Sequence, residues 1–286
     1  MVRRHELTDA EWELIEPLLP RPATGRPRVD DRRVLNGIIF KIRTGVAWRD
    51  LPDRYGPWQT CATRFRRWAA DGAFAHLLTQ VQARADAAGL LDWLVAIDST
   101  IVRAHQSAAG ARERGDPGRD EPDDHALGRS RGGLTTKIHL ACDGAGRPLA
   151  VVLTGGNRHD CTAFEAVMAA IRVPRLGPGR PRTRPDHLVA DKGYSSRKIR
   201  TWLRVRGIAH TIPERADQVR HRRARGRRGG RPPAFDRQIY QRRNVIERCF
   251  NRLKQFRAVA TRYDKTATSY QATVTLACLL LWLRTL

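Results

Sequence analysis

Residues 93–102 read Trp-Leu-Val-Ala-Ile-Asp-Ser-Thr-Ile-Val. The run is rich in β-branched side chains and reads as a buried strand. Upstream of it the pattern is helical. Downstream, strands and helices alternate. The change suggests two domains with a boundary near residue 92, an all-helical domain, 1–92, and an α/β domain, 93–286.

Working upstream, Thr8-Asp-Ala-Glu11 has the spacing of a capping box and opens a helix with Trp12, Ile15, Leu18 and Leu19 inward. Asp30 or Asp31 starts a second helix that Gly45 ends. A third runs over about 58–70 and a fourth over about 74–88. On the third, Cys61, Phe65 and Trp68 share one stripe, while Gln59, Thr60, Thr63, Arg64, Arg66 and Arg67 share the other. A short turn before a helix with a polar, basic outer face resembles a helix-turn-helix reader, with Arg64, Arg66 and Arg67 towards DNA. A solvated basic face on a packing helix gives the same pattern.

Working downstream, residues 107–133 are rich in Gly, Arg and Asp and read as a mobile loop. Leu134–Cys142 and Pro148–Leu153 form a hairpin around Asp143-Gly144. Ala163–Ile171 is a helix, His187–Asp191 a strand, Ser196–Arg206 a helix and Ile208–Ile212 a strand. Residues 215–231 carry eight Arg and one Asp and read as a cationic loop. Two helices, about 236–257 and 267–284, follow.

Composition narrows the function classes. The 286 residues include 53 Lys+Arg against 29 Asp+Glu, a formal net charge of +24. With 41% hydrophobic residues the chain can still bury a large core, so it is not a disordered polycation. Of the basic residues 47 are Arg, whose fork matches phosphate; a GC-rich genome also favours Arg, but does not explain the excess of base over acid. Five scattered cysteines fit neither a zinc finger nor a disulfide framework. The charged start argues against a signal peptide, and Val274–Leu283 is too short to span a bilayer. These features lead us to expect a cytoplasmic protein with a nucleic-acid partner and no membrane.

Three carboxylates stand out. Asp98 sits at the end of the first apolar strand, Asp191 ends His-Leu-Val-Ala-Asp, and Glu247 lies inside the penultimate helix. A carboxylate at a buried strand tip is costly without a partner, and ligands gather at such tips in α/β sheets. A turn-forming Asp is the common alternative. Around Glu247, Tyr240, Arg243, Glu247 and Lys254 fall within about 60° of one another on a continuous helix. Ile239, Ile246, Cys249, Phe250, Leu253 and Phe256 fill the neighbouring arc. Ordinary i,i+4 pairing accounts for Arg243 and Glu247, but not for Tyr240 and Lys254.

Tyr-x2-Arg-x3-Glu-x6-Lys, with Ala-Ile-Asp98-Ser-Thr and Val-Ala-Asp191-Lys-Gly-Tyr, resembles the DDE transposases of bacterial insertion sequences. The likeness is to the insertion-sequence-five family of the insertion-sequence-four-like group. Gly-Asn157-Arg158-His159-Asp160 and the run from Asn244 through Lys265 share it, and it extends over essentially the whole chain. Read without the resemblance, Asn157–Asp160 is first an Asx-type cap on the next helix and second a lining of the active site.

The resemblance implies an RNase H-like catalytic domain with Asp98, Asp191 and Glu247 as both catalytic and metal-holding residues. It implies Tyr240, Arg243 and Lys254 against DNA. Lys192 reads as a further phosphate contact or, equally, as a solvated lysine. Hard oxygen ligands suit Mg²⁺ or Mn²⁺, and two such ions would serve the cleavage and strand transfer of transposition. The expected partners are double-stranded DNA, as terminal inverted repeats and target, and a second copy in a homodimeric synaptic complex within a bacterial nucleoid. The competing readings are an RNase H-like nuclease or resolvase without strand transfer, and a catalytically silent DNA-binding descendant.

Overall fold

The computed structural model describes residues 4–20, 29–109 and 121–285. The helical segment comprises α1 (Asp9–Ile15), α2 (Asp31–Thr44), α3 (Trp58–Ala70) and α4 (Ala73–Ala87). Then come β1 (Leu94–Ala104), α5 (Gln106–Ala109), β2 (Gly128–Ser130), β3 (Gly133–Cys142), β4 (Pro148–Gly155), α6 (Asp160–Ala170) and β5 (His187–Ala190). The chain finishes with α7 (Arg197–Val205), β6 (Ala209–Thr211), α8 (Ala216–Ala224), α9 (Arg237–Gln241), α10 (Asn244–Lys254), α11 (Arg257–Ala260), β7 (Thr261–Arg262) and α12 (Ala267–Leu283).

Local chemistry explains the ends of the N-terminal helices. The Thr8 hydroxyl accepts from the Glu11 N–H, and the Glu11 carboxylate accepts from the Thr8 N–H, so the capping box is formed. Gly45 ends α2 at φ +73, in the left-handed region where a side chain is disfavoured. The connection from α2 to α3 is not a short turn. It runs over 45–57 and contains two 3-10 turns, 48–50 and 53–55. It is held from α2, because the Arg33 guanidinium donates to the Arg54 and Asp53 carbonyls.

The sheet runs β4-β3-β1-β5-β6. β3 is antiparallel to both β4 and β1, and β1, β5 and β6 are parallel. A three-strand antiparallel meander continued by two parallel strands is the RNase H-like arrangement. β5 pairs with β1 only over Leu94–Ile97, and β7 pairs with it only at Arg103–Ala104. Residues 98–102 therefore face a notch on that side. Asp98 is not at the end of its strand, as expected; it is mid-strand, and becomes accessible because the neighbouring strand stops.

α12 is apolar on every side and buried along its length, so it forms the centre of the molecule. It packs against α4, α3, β4 and α10. Gln82 of α4 donates to the Pro148 and Leu149 carbonyls of β4, both at 3.1 Å, and Trp282 of α12 donates to Pro148 at 2.6 Å. One core thus runs across residue 92. No helix among the described residues is long and apolar enough to cross a membrane.

Three further expectations change. Residues 215–231 are not a loop: α8 and a 3-10 turn at Gly226–Gly229 fill most of the segment. Gln218 ties α8 down by accepting from the Arg215 N–H and the Ser195 hydroxyl, and Arg222 pairs with Glu214 at 2.8 Å. None of α8 is buried, so it leaves no apolar periodicity to read. The helix expected over 236–257 is divided. Arg242 and Arg243 donate to the Ile239 and Tyr240 carbonyls three residues back, a local tightening between α9 and α10. Of the loop expected over 107–133, residues 110–120 lie outside the described residues. The remainder ends in β2, which pairs with β3.

Candidate active site

Register brings the two aspartates together. Ile97 pairs with Ala190 across β1 and β5, and the next residues along are Asp98 and Asp191. Side chains alternate along a strand, so Asp98 and Thr100 share one face of β1 while Ser99 points to the other. α10 covers the Asp98 face. The Arg243 guanidinium donates to Asp98 Oδ2 at 2.7 Å and to Glu247 Oε1 at 2.5 Å. Lys254, at the far end of α10, donates to the Thr100 hydroxyl at 2.6 Å.

The electrostatics are tense. Burial pushes the Asp98 carboxyl above the usual carboxylate range, and the neighbouring Asp191 charge pushes it further. The Ser99 N–H, donating to Oδ1 at 2.8 Å, and the Arg243 charge oppose this without cancelling it. The Asp191 carboxylate accepts from the Gly193 N–H at 2.8 Å, which closes the 3-10 turn 192–194. That turn leaves Lys192 exposed and buries Tyr194 completely beside Phe164. Burial, with Asp160, Asp98 and Asp191 nearby, holds the Tyr194 phenol protonated at all ordinary pH. Its hydroxyl has no hydrogen-bond partner among the described residues.

The ligand chemistry is hard and oxygen-rich, as a Mg²⁺-class ion requires. Asp98 and Asp191 are adjacent and repel one another, which a divalent cation would relieve. Glu247 is engaged by Arg243. Among the described residues, no three His, Cys, Asp or Glu side chains gather closely enough to hold a metal ion. The two aspartates are hard oxygen donors of the kind such an ion takes.

Tyr240 packs at 5.2 Å from the Phe235 ring, with the Arg243 guanidinium 5.9 Å from its own. Although the helix is interrupted between Tyr240 and Arg243, Arg243 reaches Asp98 and Glu247, and Lys254 reaches Thr100. Arg66 and Arg67 of α3 are exposed, and Arg67 has Asp71 at 3.8 Å. Arg64 does not stand on the outer face as expected. Its guanidinium pairs with Asp31 and lies over the Trp68 ring, with only 11% of the side chain exposed.

The segment Asn157–Asp160 departs from the cap reading. His159 is the N-cap of α6, and no side chain caps it. Asp160 instead accepts from the Ser99 hydroxyl at 2.6 Å and pairs with Lys137 at 2.9 Å. Burial alone would raise the Asp160 carboxyl, but the Ser99 and Lys137 hydrogen bonds and the Lys137 charge hold it below the usual range. Asp160, Ser99 and Lys137 thus brace β1 from behind, one residue from Asp98. Sequence reasoning missed this brace, because its partners lie far apart along the chain and Ser99 is an unremarkable strand residue.

Known proteins were compared with the chain. Residues 89–282 match the family described as "Transposase DDE domain", and residues 7–78 match a family described as a putative transposase of the IS4/5 family. The chain is 31% identical over 151 residues to a putative transposase for insertion sequence element IS6501 of Brucella ovis, covering 53% of this chain and 100% of that one. It is 32% identical over 169 residues to a putative transposase for IS402 of Burkholderia cepacia, covering 59% and 72%. The Mos1 transposase paired-end complex gives a TM-score of 0.27 at 11% identity over 92% of this chain and 82% of that one, too slight a likeness to carry an argument.

Proposed function

The chain belongs to the transposase DDE domain family, and on that premise we propose an insertion-sequence transposase that cuts and joins DNA with Asp98, Asp191 and Glu247 as its carboxylate triad. Its substrates would be the terminal inverted repeats of its own element and a target duplex. The observation that carries the site assignment is Arg243, which links Asp98 to Glu247 while Asp191 stands on the adjacent strand.

The family is metal-dependent, and the all-oxygen donor set suits Mg²⁺ or Mn²⁺. When bound, two such ions would neutralise the charge of the phosphate being exchanged between attacking and leaving oxygens. Asp98 would serve both ions, with Asp191 and Glu247 each serving one. Arg243 and Lys254 would grip phosphates flanking the scissile bond, and Tyr240 would pack against the DNA end. Lys192, exposed beside Asp191, adds a phosphate contact. Water first opens the strand at the element end, and the freed 3′-hydroxyl then attacks a target phosphate. No protein nucleophile is needed. Tyr194 is enclosed, and Tyr240 packs against Phe235.

Arg66 and Arg67 would contact backbone from the helical segment, and two copies would bring two ends together in a synaptic homodimer. Asp98→Asn, assayed with Mg²⁺ on DNA carrying the element ends, should lose both cleavage and joining while still binding DNA. Retained cleavage would overturn the triad. Cleavage by the parent protein without joining would make it a nuclease rather than a strand-transfer enzyme.

A further inference from the structure

Arg243 occupies an unusual position for a phosphate ligand. It spends both arms of its guanidinium on the carboxylates, Asp98 at 2.7 Å and Glu247 at 2.5 Å, and only 17% of its side chain is exposed. It stands where charge neutralisation is needed, between the Asp98 and Glu247 carboxylates. A guanidinium does not lose its proton in a protein, so it cannot step aside by titrating; it can only move. A divalent ion and a guanidinium at the same carboxylates repel each other. The planar fork that fits two carboxylate oxygens fits two phosphate oxygens equally well.

We propose that Arg243 is the internal counter-cation of the DNA-free protein, and that a DNA phosphate must draw it off Asp98 and Glu247 before the carboxylates can fully hold a divalent metal. The inference rests on the triad assignment above. Metal loading and DNA docking are then linked, each strengthening the other by the same factor. The linkage has a purpose: without DNA, the protein carries a neutralised site that does not gather reactive metal.

The tightened turn at 242–243 suits this exchange. Arg243 is the N-cap residue of α10; its N–H donates to the Tyr240 carbonyl and its carbonyl accepts from the Ile246 N–H, so its backbone is held and its side chain alone must turn. Its neighbour Arg242 is separately anchored on Asp92. Arg243 can therefore swing while α10, buried through Val245, Ile246, Cys249, Phe250 and Leu253, stays in place.

The test is Mn²⁺ binding by the full chain, followed by electron paramagnetic resonance, with and without a short random-sequence duplex carrying 5′ phosphates at low salt. The parent protein should bind Mn²⁺ weakly alone and roughly tenfold more tightly with the duplex. Arg243→Gln should bind Mn²⁺ roughly tenfold more tightly than the parent without DNA and gain little from the duplex. Arg243→Lys, whose single head cannot span both carboxylates, should fall between them. Circular dichroism on each variant confirms folding. Equal Mn²⁺ affinity in parent and Arg243→Gln, with the site still lost in Asp98→Asn, overturns the counter-cation role and leaves the triad standing. Unchanged Mn²⁺ binding in Asp98→Asn overturns the triad, and the inference with it.

Discussion

Asp98 has the Ser99 N–H on one oxygen, Arg243 on the other and Asp191 alongside, and it is still held above the usual carboxylate range. Burial and the Asp191 charge outweigh the Ser99 N–H and the Arg243 charge at this residue. Glu121 shows the opposite case. Burial alone would raise it, but the Thr268 hydroxyl and N–H, His125 and the Ala267 N–H together hold it below the ordinary Glu range. A depressed folded-state value means stability that is present above the unfolded Glu value and lost as pH falls through the folded one. Glu121→Gln should therefore cost about 2 kcal/mol at neutral pH. In urea melts, the gap from the parent should close as acid protonates Glu121. Lys254 donates to the Thr100 hydroxyl and is proposed above to grip phosphate. Lys254→Ala should lower the slope of log affinity against log salt by about 1 in a duplex-binding titration.

Among the elements, α10 and α8 teach different things. The apolar arc of α10 was readable because burial writes a period into the sequence. Ile246, Cys249, Phe250 and Leu253 are buried as that arc requires, as is Phe256 just beyond the helix, while Ile239 on α9 is only partly buried. Its break from α9 was not readable, because Arg242 and Arg243 are good helix formers drawn out of register by Asp92 and Asp98, which lie about 150 residues earlier. α8 has no buried face, and its anchors come from Ser195 and Glu214 outside it. Gln218→Ala should loosen α8, seen as faster hydrogen exchange over 216–224, with little effect on the melting temperature. α2 depends on the residue that caps its C-terminus. Gly45 has φ +73, and an added Cβ would come within 3.0 Å of the Arg257 Cβ. Gly45→Ala should cost about 1 kcal/mol or more, measurable by chemical denaturation.

Across the whole molecule, the 53 Lys and Arg side chains are not all available to DNA. Arg64 serves Asp31, Arg147 serves Asp143, Arg222 serves Glu214 and the buried Arg262 serves backbone carbonyls and Thr136. The shared core makes the helical segment part of the catalytic body's stability. Residues 93–286 expressed alone should show exposed apolar surface and no cooperative melt, because α12 would lose its packing on α3 and α4. Leu279→Ala in the full chain should cost about 3 kcal/mol by the same packing. The sequence by itself determined the elements that bury a periodic face, the strand holding Asp98, the capped helix starts and the excess of base, since all of these are written in local patterns. Only the tertiary structure decided that Asp98 opens onto a notch, that Asp160 braces Ser99, that Arg64 is spent on Asp31 and that Arg243 lies between two carboxylates. Those facts depend on which distant residues the sheet register and helix packing bring within hydrogen-bonding distance, and no local pattern records that.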